Sequence, residues 1–155
     1  MTGSIERLKA DILFEIALVE EAVDRLNEVK ARLPIVEGDH VSEPAMGTYL
    51  MNFYNGVENI IKRVCKLYYG RFPEGNIWHK ELLQLSCRPP ESKEPIFSED
   101  IVKTLNKYLN FRHRFISGYG FQLEAEKMID LVEECPNLWN TIKGQIEIFF
   151  KNLNV

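Results

Sequence analysis

Apolar residues recur at steps of three and four along almost the whole chain, and no β-branched run alternates with period two. That spacing is the period of a helix with one buried face, so it confines the chain to helical architectures. Ile5, Leu8, Ile12, Ile16, Val19, Val23 and Leu26 predict a first helix, with Ser4 as its N-cap and Pro34 as its stop. Met46, Leu50, Phe53, Val57, Ile60, Val64 and Leu67 predict a second, capped by Ser42, with Pro44 in its first turn and Gly70 and Pro73 at its end. Asn76 can cap a short third helix carrying Trp78, Leu82, Leu83 and Leu85, which Arg88-Pro89-Pro90 stops. Ser98-Glu99-Asp100 opens a fourth, with Ile101, Leu105, Leu109, Ile116 and Tyr119 on one face and Gly118 and Gly120 at its end. A fifth runs from about Leu123 toward Leu153, with Cys135-Pro136 expected to kink or restart it. The expectation is one all-α domain over residues 1–155, an antiparallel up-and-down bundle of four to five helices. A chain of 155 residues suits one core without staples.

Composition narrows the class. With 45% hydrophobic and 27% charged residues, the chain is neither disordered nor fibrous. No uncharged apolar run approaches the ~20 residues that span a bilayer, and the N-terminus lacks the pattern of a secretory signal. Cys65, Cys87 and Cys135 are odd in number and far apart, so a disulfide framework or a zinc site is not expected and a cytoplasmic setting is. The net charge is −4, but residues 101–120 carry Lys103, Lys107, Arg112 and Arg114 and no acid. That +4 segment leaves −8 elsewhere, by subtraction. It reads either as a solvated helix face or as a place to meet a phosphate backbone.

Arg112 stands out, because helical spacing puts it on the apolar stripe between Leu109 and Ile116. A guanidinium there needs a partner, either an ion pair between helices or an anionic ligand. Glu58, on the line Met51, Tyr54, Glu58, Ile61, Cys65, is the simplest protein partner. His40, His79 and His113 have no metal-ligand spacing, so neither a metal nor another cofactor is expected. His40 reads as a loop residue and His79 as an interfacial or capping one. His113, beside Arg112 and one turn before Ser117, is the candidate general base. There is no Gly-x-Ser-x-Gly elbow and no P-loop.

An ordered set of motifs carries a resemblance. Tyr54-Asn55-Gly56-Val57-Glu58-Asn59-Ile60, Trp78-His79-Lys80-Glu81-Leu82-Leu83, Arg88-Pro89-Pro90, Phe111-Arg112-His113 and Tyr119-Gly120-Phe121 resemble the HepT-like branch of the HEPN family. The resemblance implies a homodimeric helical bundle and a metal-independent ribonuclease toxin with its site in the dimer cleft. It also implies an antitoxin partner, a small nucleotidyltransferase that adds AMP to a tyrosine of the toxin. The family motif is an Arg, a short spacer and a His, then a Tyr two residues on. Here the Arg falls on Arg112, the modified Tyr on Tyr119, and the His on Ser117. Serine cannot do acid–base work at neutral pH without a base, so the resemblance implies weak or lost cleavage, with His113 as the substitute to consider. Lys103, Lys107 and Arg114 are the expected RNA contacts. The alternative is a non-catalytic dimeric helical module that binds a nucleotidyltransferase partner or RNA.

Overall fold

The structure, a computed structural model, describes residues 2–33, 41–117 and 125–154. Among these it is all helical. Helix α1 spans Thr2–Ala31, α2 Ser42–Val64, α3 Trp78–Cys87, α4 Glu99–Ser117 and α5 Ala125–Asn152. No helix among the described residues is long and apolar enough to cross a membrane.

The expected stripes form the core. Leu8, Ile12, Val19, Val23 and Leu26 of α1 are buried, as are Met46, Leu50, Phe53, Val57, Ile60 and Val64 of α2. Helix α2 lies at the centre, packed on α1, α3, α4 and α5. Gly56 meets α1 so closely that a Cβ there would run into Val19 Cγ2. Tyr54 and Glu58, each two residues from Gly56, point to the opposite side of α2 at 100° per residue. The tight contact with α1 thereby turns these two side chains toward α3 and α4.

Helix α2 widens into a π turn over Cys65–Tyr69, closed by the Gly70 amide donating to the Cys65 carbonyl at 2.9 Å. Gly70 then reverses the chain at φ 69°, a left-handed conformation that glycine adopts without steric cost. The segment between α3 and α4 is tied down rather than loose. The Tyr69 hydroxyl donates to the Glu94 carbonyl and accepts from the Ile96 amide, while the Tyr68 hydroxyl accepts from the Glu94 amide. The Ser86 carbonyl accepts from the amides of Ile96 and Phe97.

Several boundaries differ from expectation. Ser4 lies inside α1, which already begins at Thr2. Helix α2 starts at Ser42 itself, with Val41 at the cap position, and α3 starts after Ile77 rather than at an Asn76 cap. Ser98 does cap α4, its Oγ accepting from the Ile101 amide at 3.3 Å. Cys135-Pro136 does not restart α5, which continues through Pro136 as one helix. Proline forfeits one ladder bond there, and burial of Val132, Cys135, Leu138, Trp139 and Ile142 on either side outweighs that loss. Ile116 was expected on the inner face of α4 but is 56% exposed.

Candidate functional site

Three helices converge on one group of polar side chains. Helix α2 supplies Tyr54, Asn55, Glu58 and Lys62, the first turn of α3 supplies His79, and the last turns of α4 supply Arg112 and His113. Glu58 is its anchor. It is only 2% exposed, and a carboxylate so buried needs partners. His79 Nδ1 donates to Glu58 Oε2 at 2.7 Å, and Lys62 Nζ stands 3.8 Å from Oε1. The indole of Trp78 stacks on the His79 ring at a centroid distance of 3.6 Å, and Lys62 lies over that indole.

The expected Arg112–Glu58 ion pair does not form. His79 and Lys62 satisfy the carboxylate instead, and Arg112 Nε donates to Asn55 Oδ1 at 2.7 Å. Arg112 is half-buried, and its remaining guanidinium nitrogens donate to none of the described residues. The amide of Asn55 therefore orients the guanidinium without neutralising it. Its charge still reaches Tyr54, whose buried hydroxyl is pushed well above the usual tyrosine range by desolvation and by Glu58, with Arg112 offsetting part of that rise.

His113 reaches the cluster from α4. Its ring meets that of His79 edge-on, with centroids 5.6 Å apart and planes at 72°. Its pKa is lowered from the ordinary histidine value, first by desolvation and then by the charges of His79, Arg112 and Lys80, against an opposing pull from Glu58. Ser117 is exposed, and its Oγ donates back to the His113 carbonyl. That bond commits the hydroxyl to its own helix. Tyr119 lies outside the described residues, as do His40, Gly118, Gly120 and Phe121.

The basic residues of α4 do not share one surface. Lys107 pairs with Glu134 of α5 at 2.9 Å and lines a groove with Arg114. Lys103 lines another, beside Arg88 and Glu99. Sequence reasoning did not assign His79, Asn55, Lys62 or Lys80 to the site. The available signal was Glu58 itself, an acid on an apolar line, which requires a hydrogen-bonded partner from a neighbouring helix.

Burial pushes the Cys65 thiol up to about 12, and it also raises Cys87 and Cys135, so these are protonated and inert at neutral pH. Among the described residues, no three His, Cys, Asp or Glu side chains are placed to hold a metal ion.

No curated protein and no solved structure matches the chain. A family model described as HepT-like protein matches residues 45–153, a span that holds every residue of the cluster around Glu58. With most of its length matched, the chain belongs to the HepT-like HEPN family.

Proposed function

We propose that this chain is a HEPN protein of the toxin–antitoxin type, with an RNA-facing site around Arg112 and cleavage weakened by Ser117. The observation that carries this reading is the state of Arg112. Asn55 orients its guanidinium, no carboxylate among the described residues pairs with it, and its charge acts on the neighbouring His113 ring, which in turn meets that of His79. A guanidinium presented in this way can take a phosphodiester bidentately and stabilise the charge that develops on it. Ser117 cannot act as general acid or base at neutral pH, and general acid–base help is typically worth about 10²–10⁴-fold. RNA binding with slow cleavage is the expected behaviour.

The same reading includes a homodimer, a nucleotidyltransferase antitoxin and modification at Tyr119. Light scattering at tens of micromolar tests the dimer, and a monomer mass would count against it. The alternative, a helical module without catalysis, is favoured by the bond that ties Ser117 Oγ to the His113 carbonyl.

The test is a fluorescent-RNA binding and cleavage assay in EDTA. The unmodified protein should bind RNA and cut it slowly, Arg112→Ala should lose both, and Ser117→His should cut faster by no more than about 10²–10⁴-fold. Robust cleavage that survives Arg112→Ala would sink the assignment of the site.

A further inference from the structure

The family pattern draws attention to Arg112 and Ser117, yet the most organised proton chemistry in the structure lies one helix away. His79 comes from the start of α3, its Nδ1 held by a carboxylate that is almost wholly buried. Since an ionised carboxylate only accepts, the Nδ1–H must donate to it. That bond fixes the ring and directs Nε2 away from Glu58. Trp78 closes one face of the same ring. His113 stands against it from α4, near enough that one tetrahedral group could bridge both rings. Lys80 and Arg112 add positive charge around His113.

We propose that His79 and His113 form the acid–base pair of this site, with Glu58 as the residue that positions His79 and Arg112 as the phosphate holder. The inference rests on the RNA reading above and deepens it by naming the reacting groups. Neutral His113 takes the proton of a ribose 2′-hydroxyl as that oxygen bonds to phosphorus. The P–O5′ bond breaks, and protonated His79 gives its proton to the departing 5′ oxygen. The products are a 2′,3′-cyclic phosphate and a 5′-hydroxyl, and exchange with water returns both rings to their starting states. No metal and no oxidant enters the balance.

The charge around His113 and the anchoring of His79 distinguish the two roles. Desolvation, His79, Arg112 and Lys80 disfavour a proton on His113, which suits a base. The Glu58 carboxylate holds His79 Nδ1 at 2.7 Å and so fixes the ring, which leaves His79 the placed partner for the departing oxygen. Among the described residues, Tyr54 and Lys62 of α2 and Lys80 of α3 are further titratable groups around the pair. The structural alternative is that His79 only satisfies a buried carboxylate. On that alternative, losing the imidazole would alter stability and leave the rate of the folded protein alone.

The experiment uses the full chain with a fluorescent single-stranded RNA and its 2′-deoxy counterpart, in EDTA. Slow cleavage of the RNA alone is expected, leaving 2′,3′-cyclic phosphate ends. His79→Asn keeps a side-chain N–H for Glu58 but removes the titrating ring, and it should lower the rate by at least about 10²-fold. His113→Gln should do the same. Glu58→Gln should lower the rate of cleavage of bound RNA while leaving RNA affinity unchanged, because only the placement of the His79 ring is disturbed. Thermal melts and RNA binding are measured for every variant. RNA bound but uncut by the unmodified protein overturns this inference and leaves the RNA reading standing. So does cleavage within threefold of the parent in a folded His79→Asn protein. Absence of RNA binding overturns both.

Discussion

Replacing His79 with alanine removes the closest partner of a carboxylate that is 2% exposed. What remains to Glu58 among the described residues is Lys62 at 3.8 Å, itself one-third exposed at 33%, and the neighbouring Tyr54 hydroxyl. Orphaning a buried charge costs about 3–5 kcal/mol. Because Lys62 stays, the lower end applies, about 3 kcal/mol. For a chain of this size each kcal/mol moves the melting temperature by about 2–4 °C, so His79→Ala should melt about 6–12 °C lower. The paired replacement Glu58→Met with His79→Leu removes donor and acceptor together at similar volume. It should fall within about 1 kcal/mol of the parent, since exchanging a buried pair for apolar groups is often neutral. Urea denaturation of the parent, His79→Leu, Glu58→Met and the double measures all four corners, with an unchanged slope showing that the unfolded state is comparable. A single-variant cost below about 1 kcal/mol, with a double variant no better than the sum, would show that Glu58 is effectively solvated. The account of the site would then be wrong at its foundation.

Arg112→Ala should cost about 1.5–3 kcal/mol, the worth of one hydrogen bond from a charged donor, here to Asn55, and leave Glu58 satisfied; calorimetry showing a loss well above about 3 kcal/mol would restore the ion pair that the structure lacks. Gly56→Ala should gain about 1 kcal/mol of helix propensity and lose about 1–3 kcal/mol to overpacking against Val19, for a net loss that Val19→Ala in the same chain reverses. The His113 ring should titrate by NMR below the ordinary midpoint of about 6.5. Lys80→Ala should move that midpoint upward, because one of the charges that opposes protonation has gone; a midpoint at or above 6.5 in the parent would contradict the assigned role.

The helices were readable because each buries one face, and burial leaves a periodic trace. Leu8, Ile12 and Val19, or Leu105 and Leu109, are all where that trace puts them. Helix ends were less readable, since Ser4 and Asn76 have the chemistry of a cap without its position, and the outcome at Pro136 depended on packing that lies far away in sequence. The site was half legible. Glu58 and Arg112 were conspicuous as charges on apolar lines, and each does need a partner. Which partner each takes is a property of three helices at once. Nothing along the chain links Glu58 to His79 or Arg112 to Asn55, which are 21 and 57 residues apart. Nor does the charge pattern of residues 101–120 reveal that Lys107 is matched by Glu134 from another helix.

The segment that joins α3 to α4 bears on the far end of that helix pair. His79 opens α3 and His113 nearly closes α4, so the two rings lie at the open mouth of a hairpin whose closed end is held by Tyr68, Tyr69 and the Ser86 carbonyl. At 1.5 Å of rise per residue, the mouth is roughly 10–20 Å from that clasp along either arm. A small change of angle at the clasp is therefore magnified into a larger change in the gap between the imidazoles. The tyrosine hydroxyls at the closed end thereby bear on the spacing of two rings that belong to other helices.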